Sequence, residues 1–130
     1  MRSLNRAFLM GNLAADPSDT ALDKGGIMVA FPLATHRDYE HNGERKKVTD
    51  FHRIIVWGKR AEVAKKYSAK GSAVYIEGKI VNRTYDDKGG SKKYITEIVA
   101  DELNIITWKK GDSPELNNLP EQQPDSGNPF

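Results

Sequence analysis

Flat aromatic rings interleaved with guanidinium and ammonium groups are the chemically most capable residues in this chain. Phe51 and Trp57 stand six positions apart with Arg53 between them, and Arg83 and Tyr85 repeat the pairing of cation and ring further along. Tyr39 precedes a basic run, Arg45-Lys46-Lys47, while Lys59, Lys79, Lys92 and Lys93 add further charge. A ring offers its π-face to another flat heterocycle, and a cation attracts phosphate. A nucleic-acid strand with unpaired bases presents both handles. Each stacked base contributes about 1–3 kcal/mol, so four rings give roughly 4–12 kcal/mol before ordering costs. Phosphate contacts add a term that weakens with salt, and neither term reads base identity.

Taken singly, an aromatic residue in a strand is more often a packing partner, and a Lys-Arg run more often a solvated face. The local pattern weighs against packing here. Val48 to Trp57 alternates strictly: Phe51, Arg53, Ile55 and Trp57 share one side, and His52, Ile54 and Val56 share the other. Apolar residues already fill the second side, and a second core would not readily bury the Arg53 guanidinium. Ser72 to Tyr85 reads similarly, with Val74, Ile76 and Ile80 directed inward and Lys79, Val81, Arg83 and Tyr85 on the opposite face.

The elements positioning these groups are β-rich. Ala7 to Met10 is a short apolar strand closed by Gly11-Asn12, with a turn at Asp16-Pro17. Gly25-Gly26 opens a second strand, Ile27 to Thr35, in which Pro32 signals a bulge or an edge. His36 to Lys47 is polar and carries Asn42-Gly43, a hairpin-turn signal, within a flexible tip. After the Val48–Trp57 strand, Ala61, Val63, Ala64 and Tyr67 are spaced for a short amphipathic helix over Lys59 to Tyr67, ended by Gly71. Lys88-Gly89-Gly90 makes a second hairpin tip, and Lys92 to Trp108 returns as the last strand, with Asp101-Glu102 as a point of interruption.

Three strands, a helix and two strands is the order of an OB barrel; an SH3-like barrel is the nearest rival and usually lacks such a helix. The fold class expected is therefore all-β: a five-stranded OB-fold barrel over residues 1–108, with one short helix between strands three and four. Residues 109–130 are rich in Pro, Asn, Gln, Gly, Ser and acids, the composition of a disordered tail.

Composition narrows the function classes. The 130 residues contain no cysteine, which excludes disulfides, thiol catalysis and thiolate metal sites. The three histidines, His36, His41 and His52, have no zinc-site spacing, and no P-loop, catalytic triad or carboxylate pair is recognisable, so neither an enzyme nor a cofactor is expected. No apolar run approaches the roughly 18 residues of a membrane span, and Met1 to Arg6 lacks the apolar stretch of a signal peptide. A cytoplasmic, nucleoid-associated protein is the expectation. The four acids beyond Gly111 leave 14 for residues 1–111, against all 20 basic groups, a net of +6 there. A basic body and an acidic tail suit a polyanion and a basic partner respectively. An OB-fold adaptor whose rings meet protein, or a cold-shock-like RNA module, is the rival to a DNA binder.

Several blocks in order resemble the bacterial single-stranded DNA-binding protein family: Leu4 to Leu13 with Asp16-Pro17, Leu33-Ala34-Thr35, Thr49 to Arg53, Trp57 to Glu62, Lys70 to Gly78, Arg83-Thr84-Tyr85 and Tyr94 to Glu97. The resemblance spans residues 4–108. It implies a homotetramer of OB folds wrapped by single-stranded DNA in replication, recombination and repair, with stacking rings at Tyr39, Phe51, Trp57 and Tyr85. It also implies subunit interfaces near His52 and Tyr75. Several members carry Trp where this chain has Tyr39, Phe51 and Tyr85; the smaller rings keep a π-face but offer less area. The family's tail ends in several acids and Pro-Phe and docks replication, recombination and repair proteins. Here Asp125, Pro129 and Phe130 would serve that role, with Asp125 as the sole acid nearby. A phage, plasmid or second-copy member would show such departures.

Deleting residues 112–130 removes four acids that compete with phosphate. Oligo-dT affinity of the truncated chain, measured by fluorescence anisotropy, is expected to equal or slightly exceed that of the full chain. A large loss would place part of the nucleic-acid site in the tail.

Overall fold

A computed structural model describes residues 1–21 and 26–107. Six strands and one helix follow in the order β1 (Ala7–Leu13), β2 (Ser18–Ala21), β3 (Ile27–His41), β4 (Glu44–Trp57), α1 (Gly58–Tyr67), β5 (Ala73–Asp86) and β6 (Lys92–Ile105). Hydrogen-bonded neighbours run β1-β5-β6-β4-β3-β2, and a further β1–β3 pairing at Asn12↔Ala34 and Leu13↔Leu33 closes β1, β3, β4, β6 and β5 into a five-stranded barrel. The helix lies between the third and fourth barrel strands, as the pattern of residues implies. This is an OB-fold barrel.

Strand alternation builds the core. Val29, Phe31 and Leu33 of β3, Ile54 and Val56 of β4, Val74 and Ile76 of β5, and Ile98 and Ala100 of β6 all point inward and are buried. Ala61 and Ala64, three apart on α1, present small side chains that let the helix sit close against the barrel. Where β5 meets β6 the backbones approach so closely that a Cβ on Gly78 would lie 2.1 Å from the carbonyl oxygen of Val99. Beside it the register shifts from Glu77↔Glu102 to Gly78↔Ala100, leaving Asp101 as the extra residue of a bulge. β6 is thus not interrupted at Asp101-Glu102: it runs on to Ile105, with a bulge at that point.

Several sequence expectations are corrected. The first strand does not close at Gly11-Asn12 but runs to Leu13, because Asn12 and Leu13 make the closure with β3. Ser18–Ala21, polar and weak in strand propensity, nonetheless pairs with Ile27–Ala30 as β2. Pro32 makes neither a bulge nor an edge in the β3–β4 ladder, where it sits opposite Arg53 without a register shift. Its carbonyl accepts from the Ala14 amide, so its missing N–H falls on the side where β3 changes neighbour from β2 to β1.

The polar stretch His36 to Lys47 is mostly ladder. β3 and β4 pair as far as His41↔Glu44, and only Asn42 and Gly43 turn, with φ of 54° and 78°. Ser68 rather than Gly71 ends the helix, donating both its amide and its hydroxyl to the Ala64 carbonyl. Val63 and Ile80 are exposed instead of inward, Ile80 although it pairs with the buried Ile98. The last strand stops at Ile105; Trp108 and the whole of the expected tail, residues 109–130, lie outside the described residues. Among the described residues no helix is long and apolar enough to cross a membrane.

Gly78→Ala forces apart two strands that close the barrel. A loss of about 1–3 kcal/mol in unfolding free energy is expected, read from urea denaturation midpoints. An unchanged midpoint would mean that β5 and β6 can separate there at no cost.

Candidate nucleic-acid interface

The outer face of β4, β6 and β5 carries the groups singled out in the sequence. Because β4 pairs parallel with β6, and β6 antiparallel with β5, β4 and β5 run in opposite directions across this face. Reading the same way along the sheet, β4 presents Trp57, Ile55, Arg53 and Phe51, and β5 presents Lys79, Val81, Arg83 and Tyr85. Phe51 is 66% exposed, and Trp57 and Tyr85 are each 47% exposed, although all three are large apolar rings. That exposure costs hydrophobic stabilisation and calls for a ligand.

Between the rings lies a groove of about 390 Å³ lined by Met28, Arg53, Ile55, Trp57, Val81, Arg83, Glu97 and Val99. Ile55 shares the outward side with Phe51 and Trp57, as strand parity requires, yet it is buried, because Val99 stands level with it on β6. The groove therefore has an aliphatic floor, a tryptophan at one end and a charged cluster at the other. An aliphatic floor with a ring at one end suits the flat, weakly polar face of a base.

The charged cluster centres on Glu97, which no reading of the rings had singled out. Glu97 is 4% exposed and sits on β6 between the other two strands. From β4, Arg53 Nε donates to Oε2 at 2.8 Å; from β5, Arg83 donates Nε to Oε1 at 2.9 Å and a terminal nitrogen to Oε2 at 3.0 Å. The Arg83 hydrogen bonds, reinforced by Arg53, hold the Glu97 carboxyl below its ordinary range despite an opposing desolvation penalty; Glu97 in turn raises Arg83. Expected as two independent cations, the arginines instead share one anion. The clue in the sequence is an acid inside the apolar run Ile95 to Ala100, since a buried carboxylate needs a cationic partner.

The remaining cations are differently placed. Lys79 lies on the groove side of β5, and Lys59 lies in the first turn of α1, which has no acidic residue, two positions after Trp57; among the described residues neither forms an ion pair. Lys93, opposite Tyr85, reaches Asp87 in the hairpin turn at 3.7 Å. On the β3–β4 ribbon Arg45 and Lys47 stand on the groove side, opposite Glu40 and Asp38.

Tyr39 stands apart from the other three rings. It pairs with Lys46, five positions from Phe51, so it projects from the reverse face of the ribbon. That face also carries the Arg37–Asp50 pair and His52, whose Nε2 lies 2.8 Å from Thr35 Oγ1. Tyr75 projects from β5 beside the exposed Phe8 and Met10 of β1, and its hydroxyl donates to Glu77 Oε2 at 2.8 Å. Arg6 covers Phe8 with its guanidinium 5.9 Å from the ring centroid and also pairs with Asp101. Asp125, Pro129 and Phe130 lie outside the described residues.

An OB barrel whose outer face carries exposed rings, an aliphatic groove and paired guanidiniums is a nucleic-acid-binding barrel by class. Comparison with known proteins narrows the class. Residues 4–106 match the description of the "Single-strand binding protein family". The chain is 40% identical over 110 residues to "Single-stranded DNA-binding protein 1" of Chlorobaculum tepidum, covering 83% of this chain and 68% of the relative. Its fold matches the "Plasmodium falciparum SSB complex with ssDNA" with a TM-score of 0.76 and 31% identity, over 82% of this chain and 97% of that one. The chain belongs to the single-strand binding protein family.

The lowered Glu97 pKa has a stability consequence whose sign is fixed. Its arginine contacts contribute fully above the unfolded carboxyl value, about 4.3, and their contribution vanishes as pH falls through the lower folded value. Glu97→Gln is therefore expected to be less stable than the parent at pH 7, with the gap narrowing as pH drops below about 4. A gap independent of pH in urea melts would show that the charge on Glu97 does not stabilise the fold.

Proposed function

We propose that this chain coats single-stranded DNA without regard to sequence, through bases stacked on Trp57, Phe51 and Tyr85. The observation that carries the reading is the exposure of those three rings on one face, around a groove with guanidiniums at one end. Arg53, Lys59, Lys79, Arg83 and Lys93 serve the phosphates. Tyr39, on the reverse of the β3–β4 ribbon, meets a nucleotide only where the strand passes around that ribbon.

The biological role that fits is protection of single strands during replication, recombination and repair, in the cytoplasm at the nucleoid. Both named relatives, the bacterial single-stranded DNA-binding protein and the structure of an SSB with ssDNA, support the DNA reading over an RNA module or a protein adaptor. Self-association into a homotetramer would cover the exposed Phe8 and Met10 beside Tyr75 and bring His52 near a partner. The terminal Asp125, Pro129 and Phe130 would dock partner proteins, with weaker electrostatics than a tail carrying several acids at its tip.

Trp57→Ala tests the stacking term. Since the ring is half exposed, the fold should survive, while affinity for labelled oligo-dT falls by about 1–3 kcal/mol. Parent-like affinity in a folded variant would remove Trp57 from the interface; loss of the folded state would move it into the core.

A further inference from the structure

Resting on the DNA-binding reading above, we infer that Glu97 is the positioning residue of the interface: it holds Arg53 and Arg83 against the groove and makes them act on DNA as a single cation. The basis is the shared carboxylate. One buried anion on the middle strand accepts three hydrogen bonds, at 2.8, 2.9 and 3.0 Å, from guanidiniums on the two flanking strands. Two positive charges and one negative leave the cluster at +1. Arg83 engages Glu97 through two nitrogens, which fixes its plane, and Arg53 engages through Nε alone, which leaves its terminal N–H groups available.

The arrangement has a physical use. Two free arginines between Phe51 and Tyr85 would each seek a phosphate, and their long side chains would sample the space above the aliphatic floor. Anchored, they leave that floor open to a base and neutralise one phosphate. Two other cations of the face have no such restraint: Lys59 and Lys79 form no ion pair among the described residues. Those lysines supply the charge, and the arginine cluster supplies fixed geometry. A purely structural staple joining β4, β6 and β5 is the competing role for Glu97, reasonable because β4 and β6 pair only at Ile54↔Ile98 and Ile55↔Val99.

The dependence of oligo-dT affinity on salt separates the two roles, because the slope of log K against log salt on single strands changes by about 0.7 per contacted phosphate. It is measured on the full chain, on Glu97→Gln, and on the triple variant Arg53→Gln, Glu97→Gln, Arg83→Gln, which removes all three charges together and leaves no buried ion unpaired. Glu97→Gln is expected to steepen the slope by about 0.7, and the triple variant to make it shallower by about 0.7. A Glu97→Gln slope equal to the parent's, or a triple-variant slope shallower by about 1.4, would overturn the inference: the first leaves only the staple, the second makes each arginine a separate phosphate ligand. Should Glu97→Gln fail to fold, the triple variant decides alone. Absence of oligo-dT binding by the parent chain at every salt concentration would instead remove the DNA-binding reading itself.

Discussion

A strand that helps close a barrel must turn one side to the interior and the other to water, and this constraint determines most of what the molecule can do. The inner positions of β3, β4, β5 and β6 are occupied by Val, Ile, Leu, Phe and Ala, which form the buried core. Whatever occupies the alternate positions is then presented outward on a rigid sheet. In β4 and β5 those positions hold rings and guanidiniums, held by ladder hydrogen bonds, so little ordering remains to be done when a ligand arrives. The barrel strands come together at two close backbone approaches, at Gly11 against Ala34 and at Gly78 against Val99. The interface is therefore as rigid as the barrel behind it.

Electrostatics refines that picture. The excess of basic groups in residues 1–111 gives a long-range attraction to polyanions, yet many of the cations are engaged locally: Arg6 with Asp101, Arg37 with Asp50, Lys65 with Asp19, and Arg53 and Arg83 with Glu97. Net charge overstates what can be spent on phosphate. Surface pairs such as Arg37–Asp50 contribute little to stability, whereas the half-buried Glu97 cluster lies where the groove and the sheet meet and affects both. The stacking rings carry affinity that salt leaves largely intact, and the unpaired lysines carry the part that salt removes.

Much of this was legible in the residues, and the failures have physical reasons. Phe51, Arg53 and Trp57 could be assigned to one face because a period of two leaves no alternative once Ile54 and Val56 are inward. Asp101-Glu102 stood out because two acids do not continue an apolar run; the strand runs on through them, and what is there is a bulge. Tyr39 was assignable in principle: the two-residue Asn42-Gly43 turn fixes His41 opposite Glu44, and counting back puts Tyr39 on the reverse face. Treating His36 to Lys47 as a flexible tip discards that register. β2 was not legible, since Ser-Asp-Thr-Ala forms a strand only because β3 offers it an edge. Ile80 has the parity of a core residue and pairs with the buried Ile98 yet is exposed, and strand periodicity carries no information on how far along a strand the core extends. Glu97 left a trace, an acid among isoleucines and valine, but its two partners lie 44 and 14 residues away and only the fold brings them together.

In this reading the outward rings of β4 and β5 receive the bases. Aromatic side-chain NMR on the full chain, titrated with oligo-dT, tests it most directly, because a stacked base shifts the ring protons it covers. Expected are large, saturable shifts for Phe51, Trp57 and Tyr85, with the buried Phe31 unmoved. Saturable binding that leaves those three rings unshifted, with the perturbation instead at Phe8 and Tyr75, would contradict it.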